Sequence, residues 1–255
     1  MIGVALVTGS GRGIGFAAAK VLTEQGFAVA LNEPSDGPEL TQALEKLKTN
    51  GAKVMKAPFD VRDATQYDAV LSNIEEKLGA LTTLVNNAGV GVMSRGDPLD
   101  VTPESWDRCL EVNAKAIFFL TQRFVKILLK RERRDDTFCS IVNVTSSNAV
   151  AVAEQRAEYA ASKAAAAMIS KTWAVRLGRE GIAVYDVQPG LIVTSMTAPV
   201  IDQYAERAAA GLTLFPRVGM PEDIGSIIAT LASGKLPYTT GQTISADGGL
   251  LVPRY

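Results

Sequence analysis

The chain has 255 residues, with 26 Lys and Arg against 27 Asp and Glu, a net charge of −1 and no histidine. That balance gives no electrostatic reason to expect nucleic acid or an anionic membrane as partner. The missing histidine excludes histidine general bases, Ser-His-Asp triads and histidine-ligated metals. Hydrophobic residues make up 47 % and charged residues 21 %, as in a globular protein with a sizeable core, and no apolar run approaches the ~20 residues of a membrane span.

The chain opens on the apolar run Val4-Ala5-Leu6-Val7, passes through Thr8-Gly9-Ser10-Gly11-Arg12-Gly13-Ile14-Gly15, and continues in a helical pattern through Phe16, Ala19, Val21 and Leu22. Strand, glycine-rich turn and helix in that order make a dinucleotide site. Glycines let the backbone approach a pyrophosphate, and the helix N-terminus offers free N–H groups and a positive dipole end. No basic segment or cleavage site precedes the first strand, so no signal peptide is expected. Cys109 and Cys139 have neither metal nor redox spacing. Two reduced thiols, a cytoplasmic location and no metal site are the expectation.

Strand-like and helix-like segments then alternate. Strands are expected near 2–8, 27–32, 53–58, 82–86, 138–145, 182–188 and 242–246, and helices near 14–25, 38–49, 64–78, 104–130, 157–180 and 221–232. Thr102 before Pro103 reads as an N-cap with proline at the first helical position. Pro221-Glu222-Asp223 is another first turn, and Gly26, Gly51, Gly79 and Gly181 stand where helices stop. Repeated strand–helix units predict an α/β fold, a doubly wound, Rossmann-type parallel sheet of seven strands flanked by helices. No linker or composition shift divides the chain, so one domain over residues 1–255 is expected, with the irregular segment 191–215 as a substrate lid.

Tyr159-Ala160-Ala161-Ser162-Lys163 opens an alanine-rich helix, and its Tyr and Lys, four residues apart, share a face. Ser146 ends the strand Ile141-Val142-Asn143-Val144, at the edge where such a sheet offers its ligand crevice. Phenol, ammonium and hydroxyl beside a nucleotide site can do redox chemistry without histidine. An ammonium about 4 Å from the phenol, at an effective dielectric of about 20, favours the phenolate by roughly 4 kcal/mol. That is about 3 pKa units, which would bring Tyr159 from its ordinary value near 10 to near 7.

On these residues the chain resembles the short-chain dehydrogenase/reductase family over essentially its whole length. Thr8-Gly9 through Gly13-Ile14-Gly15 matches the cofactor turn, and Asp60-Val61 the pair the family places against adenine. Asn86-Asn87-Ala88-Gly89 matches the element after the fourth strand. Asn113, Ser146, Tyr159 and Lys163 match the catalytic tetrad, and Pro189-Gly190 with Ile192 and Thr194 the turn beside the nicotinamide. The resemblance implies a hydride transfer between a nicotinamide cofactor and a secondary alcohol or ketone, with Tyr159 as acid and base. It further implies that Lys163 bonds the ribose, Ser146 steadies the substrate oxygen and Asn113 holds a water linking Lys163 to solvent. Ser147 competes for the serine role, but Ser146 lies at the family's usual spacing from Tyr159.

Glu33 ends the second strand, where an acid accepts bonds from the adenine ribose and repels a 2′-phosphate. No Lys or Arg occurs in residues 32–37. This favours NAD, while Arg12 in the glycine turn points toward NADP. The pocket segments are expected at 90–97, 147–157 and 191–215, with Met93, Val150, Val152, Met196, Leu212 and Phe215 beside Arg95, Gln155 and Arg156. This mix suits a 3-oxoacyl thioester, a simple ketone, or a sugar or polyol.

Within the family the chain looks most like the 3-oxoacyl-acyl-carrier-protein reductase branch, although Glu180 stands where that branch often has arginine. The run Lys130-Arg131-Glu132-Arg133-Arg134 reads either as a docking site for an acidic carrier protein or as a solvated helix end. The resemblance also implies a homodimer or homotetramer built through the 157–180 and 104–130 helices and the last strand. The rival functions are a non-catalytic NAD-binding scaffold or redox sensor and a Rossmann-type methyltransferase. The complete Asn/Ser/Tyr/Lys set counts against the first, and the second leaves Tyr159–Lys163 unexplained.

Overall fold

The computed structural model describes residues 2–49, 51–132 and 137–254. Seven strands form one parallel sheet: β1 (Val4–Val7), β2 (Ala28–Leu31), β3 (Val54–Lys56), β4 (Leu81–Asn86), β5 (Cys139–Val144), β6 (Ile182–Pro189) and β7 (Thr243–Ala246). Their spatial order is β3-β2-β1-β4-β5-β6-β7. The helices are α1 (Gly13–Glu24), α2 (Pro38–Lys48), α3 (Tyr67–Leu78), α4 (Pro103–Leu110), α5 (Ala116–Lys130), α6 (Ala157–Leu177), α7 (Ile201–Arg207) and α8 (Pro221–Ala232).

The inner strands are buried on both faces, and their alternate residues feed two cores. Val4 and Leu6 of β1, Ile141 of β5 and Val184 of β6 point to the side covered by α3, α5 and α6. Ala5 and Val7, Val142 and Tyr185 point to the side covered by α1, α2 and α8. This is the period of two expected of a strand. Each fully buried leucine, such as Leu6, Leu31 or Leu84, contributes roughly 1.5–3 kcal/mol of transfer free energy. Helices α1 and α8 touch backbone to side: a Cβ on Gly225 would lie 2.7 Å from the carbonyl carbon of Ala17.

The strand order reverses between β1 and β4. That places the glycine turn after β1 and Asn87-Ala88-Gly89 after β4 at one crevice, where open α/β sheets bind ligands. Thr102 caps α4, its hydroxyl accepting from Ser105 N at 3.3 Å, as the sequence suggests.

Two expectations are corrected. The 104–130 segment is not one helix: a π-helical turn over Glu111–Lys115 separates α4 from α5 and carries Asn113. The 191–215 segment is not irregular throughout, since it contains α7 and a second π turn over Ala208–Leu212. Among the described residues no helix is long and apolar enough to cross a membrane.

Candidate active site

The cofactor turn is held from below. Thr8 Oγ1 accepts from the backbone N–H groups of Asn87 and Ala88, both at 3.0 Å. Asn87 Nδ2 donates to the carbonyls of Thr8 and Gly9, each at 2.9 Å. These bonds tie the ends of β1 and β4 together. Gly9 and Gly13 sit at φ +61° and +55°, where a side chain is strained. Gly15 is needed for another reason: a Cβ there would lie 2.2 Å from Gly9 O.

Above the turn opens a cleft of about 450 Å³ lined by Gly9, Arg12, Gly13, Ile14, Glu33, Asn87, Ala88, Gly89, Ser146, Tyr159, Lys163, Pro189, Gly190, Ile192 and Thr194. The structure thus brings together residues drawn from across most of the sequence. Gly15 lies beneath this lining. Asp60 and Val61 lie outside it. Asp60 takes a two-pronged ion pair from Arg62 Nε and Nη2 at 3.0 and 2.6 Å, which holds its carboxyl below the usual range. Val61 is buried, and its carbonyl accepts from Tyr67 at 2.6 Å.

Glu33 faces the turn, its Oε1 accepting from Gly11 N at 2.8 Å. Burial pushes its carboxyl up and that N–H pulls it back. Arg12 stands at the N-cap of α1, with its guanidinium paired to Glu39 of α2.

Tyr159 and Lys163 lie on α6, with Ser146 just beyond β5. Burial pushes the pKa of the phenol up, while Ser146 and then Arg156 oppose that shift. Lys163 Nζ donates to Val144 O at 3.0 Å and lies 5.8 Å from the centre of the Tyr159 ring. Burial lowers its pKa to about 8, opposed chiefly by Asp186. The expected strong depression of Tyr159 by Lys163 is therefore corrected. Desolvation dominates both groups, and the ammonium turns toward a backbone carbonyl.

Asn113 is fully buried. Its Oδ1 accepts from Val90 N at 2.9 Å, and its Nδ2 donates to Val90 O at 3.0 Å and to Ser162 Oγ at 2.9 Å. These side-chain bonds lock the loop after β4 to α6. Gly89 makes room: a Cβ there would come within 3.2 Å of Asn113 Oδ1 and 3.4 Å of Lys163 Nζ.

The family model described as Enoyl-(Acyl carrier protein) reductase matches residues 9–251. A 3-oxoacyl-[acyl-carrier-protein] reductase of Staphylococcus aureus is 33 % identical over 247 residues, 96 % of this chain and 97 % of that protein. The chain belongs to the short-chain dehydrogenase/reductase family. Like that family, it is an NAD(P)-dependent oxidoreductase acting on alcohols or carbonyls. A 3-oxoacyl-[acyl-carrier protein] reductase from Brucella melitensis, solved in complex with NAD, superposes with TM-score 0.95 at 35 % identity, covering 100 % of this chain and 99 % of that one. A gluconate 5-dehydrogenase from Burkholderia cenocepacia, solved with NADP and tartrate, reaches TM-score 0.89 at 29 % identity, covering 98 % and 96 %.

Beside the short-chain dehydrogenase/reductase cleft lies a second hollow of about 840 Å³, sharing Ser146, Tyr159, Gly190, Met196 and Thr197 with it. Of the pocket residues expected from sequence, Arg95, Val152, Gln155, Arg156, Met196 and Leu212 line it. Met93, Val150 and Phe215 do not: Phe215 lines a separate hollow against α8, and Val150 a surface groove along α6. Ser147 lines the hollow without lining the cleft, whereas Ser146 lines both. Gln203, Tyr204 and Arg207 also line it; they lie on α7, whose short, weakly periodic sequence gives no signal for a pocket-lining helix.

In the basic run, Arg131 is engaged, pairing with Glu75 at 3.0 Å and donating to Leu81 O at 2.7 Å. Arg133 and Arg134 lie outside the described residues.

Proposed function

We propose that the chain moves hydride between NAD and a secondary alcohol or ketone, with Tyr159 passing the proton on the substrate oxygen. The observation that carries this reading is the convergence of Ser146 and Tyr159 on the wall shared by cleft and hollow, with Lys163 beside them on the cleft side. The glycine cradle fits a dinucleotide, because Gly9, Gly13 and Gly15 leave backbone surface where side chains would intrude. The residues to hold it are Gly9, Gly13, Ile14, Asn87, Ala88 and Gly89 along the turn, with Pro189, Gly190, Ile192 and Thr194 opposite; Gly15 permits the close packing beneath. When bound, the nicotinamide supplies the hydride donor or acceptor and, oxidised, a positive ring charge.

This chain's residues supply the rest. Ser146, on the same cleft wall as the phenol, steadies the substrate oxygen. Lys163 places a charge behind the phenol and offers an N–H to the ribose. Asn113 acts by fixing the Val90 loop and Ser162, and so the seats of Lys163 and Tyr159. Its side-chain amide serves that lock. Asp60 and Val61 would meet adenine only at the outer end of the cleft.

Glu33, set against the glycine turn, and Arg12, already paired with Glu39, favour NAD over NADP. The names of the relatives make a 3-oxoacyl thioester the first substrate to assay, and the polar width of the hollow favours keeping sugars and polyols as the alternative. Segment 191–215, with α7, is proposed to close over the substrate.

The test is oxidation of NADH and NADPH with a short 3-oxoacyl thioester by the wild type and Tyr159→Phe. The variant keeps NADH binding and loses about 10²–10⁴-fold in turnover. A variant that retains more than about a tenth of the wild-type rate overturns the role of Tyr159.

A further inference from the structure

The hollow beside Ser146 and Tyr159 collects three guanidiniums from three separate segments. Arg95 comes from the loop after β4, Arg156 from the turn before α6, and Arg207 from the end of α7. Against them the described lining holds one carboxylate, Glu154.

Six arginines elsewhere in the protein are paired with acids. Arg12, Arg62, Arg123, Arg131, Arg176 and Arg217 each meet an Asp or Glu. Among the described residues, Arg95, Arg156 and Arg207 do not, nor do Arg108, Arg179 and Arg254, but only the first three share one hollow. Arg95 Nη1 donates to the hydroxyl of buried Tyr204 at 3.3 Å, which holds its fork in place with other donors unspent. The Arg156 guanidinium lies 5.7 Å from the centre of the Tyr159 ring, beside the reacting phenol.

Gathering like charges without counter-charge is unfavourable. An oxyanion reverses the sign of that arrangement, and the planar fork of arginine matches carboxylate and phosphate oxygens two at a time. We propose that the substrate carries an oxyanion group, a carboxylate or a phosphate, held by Arg95, Arg156 and Arg207 while its carbonyl or hydroxyl carbon faces Tyr159. This rests on the oxidoreductase reading above and adds the charge of the substrate to it. Gln155 and Gln203, which share the lining, suit further hydroxyl or carbonyl oxygens.

The experiment compares matched pairs on the NADH-loaded protein at constant ionic strength: acetoacetate with ethyl acetoacetate, and dihydroxyacetone phosphate with dihydroxyacetone. Saturating NADH keeps the anions out of the glycine turn. In at least one pair the anion is expected to be preferred in kcat/KM by about tenfold or more, and the pair that shows it separates carboxylate from phosphate. That preference falls by about tenfold in Arg156→Gln and in the double variant Arg95→Gln/Arg207→Gln.

Equal or better turnover of both neutral partners, or a preference unchanged in these variants, overturns the inference and leaves the oxidoreductase reading standing. If none of the four compounds is reduced, binding decides. Saturable binding of acetoacetate or inorganic phosphate to the NADH complex, lost in the arginine variants, supports the inference, and its absence overturns it. Failure to bind NADH at all overturns both readings.

Discussion

Thr145 Oγ1 donates a 2.5 Å hydrogen bond to Asp186 Oδ1, joining the last residue before Ser146 to a buried carboxylate on β6. Gln188 Nε2 takes the other oxygen at 2.8 Å. Asp186 therefore sits fixed by two donors behind the strand end whose Val144 carbonyl receives Lys163. Burial raises its pKa, while the Thr145 and Gln188 hydrogen bonds, and then Lys163 and Lys171, draw it down.

The charged or titratable groups acting on Lys163 from neighbouring elements are Asp186 on β6 and Cys109 on α4. With a pKa of about 8 in place of 10.5, Lys163 loses its charge as pH rises through 8. Carbonyl reduction, which uses protonated Lys163 and Tyr159, is expected to fall over the same range. Asp186→Asn removes the charge that opposes this loss, so the alkaline limb moves to lower pH by about one unit or more. The check is kcat/KM for reduction between pH 6 and 10. A variant profile that superimposes on the wild type's, apart from a uniform scale factor, refutes the role.

Glu33 and Arg12 make opposite cofactor predictions from sequence, and their neighbours favour the reading from Glu33. Glu33 stays at the turn through Gly11, whereas Arg12 is drawn to Glu39. Wild type is expected to bind NADH at least about tenfold more tightly than NADPH, and Glu33→Ala to shrink that ratio toward one. Paired fluorescence titrations measure both. Tighter NADPH binding by the wild type removes the basis for the NAD preference.

Gly15→Ala separates helix propensity from packing. In an exposed helix interior, replacing Gly with Ala stabilises by roughly 1 kcal/mol. Here the added carbon would lie 2.2 Å from Gly9 O and 2.5 Å from Asn87 Nδ2, so the sign reverses. A loss of about 1–3 kcal/mol is expected in thermal unfolding, with weakened NADH binding as the turn is pushed out. A raised melting temperature with unchanged NADH affinity contradicts this.

Self-association is expected through α5, α6 and the edge strand β7. On α6 the residues facing the sheet are Ser162, Lys163, Ala166, Ser170 and Trp173, while Ala164, Met168 and Val175 face outward. Val175 is 85 % exposed and Met168 61 %, and Phe119 of α5 is exposed as well. Light scattering should give two or four times the monomer mass, and Val175→Glu should lower it. A monomeric wild type refutes the expectation.

Alternation of strand and helix, together with the glycine turn, made the doubly wound sheet legible in the sequence, because periodicity and turn chemistry are local. The parts that needed coordinates were those set by distant partners. The ammonium of Lys163 shares a helix face with Tyr159, as spacing requires, yet burial and Val144 O decide where it points. Asn113 looks like a polar residue inside a helix, but its partners are Val90 and Ser162, far off in sequence. The anchor of the hollow, Tyr204, sits on a short helix with no strong periodic signal. The fate of Arg12 depends on Glu39, in the next helix.

The π turn at Glu111–Lys115 also sets a phase. An α-helix advances 100° per residue, so one extra residue accommodated in a wide turn rotates everything after it relative to everything before. Upstream, Ser105 and Cys109 face inward, and Ser105 Oγ donates to buried Glu158 of α6 at 2.6 Å. Downstream, Ala116, Leu120, Phe124 and Leu128 point into the core under the sheet. Deleting a single residue from this turn would leave a regular helix with nearly every residue unchanged, yet it would swing one of these two stripes off its target. The segment behaves like a crankshaft, in which the offset between its two throws is what lets one rod serve two bearings.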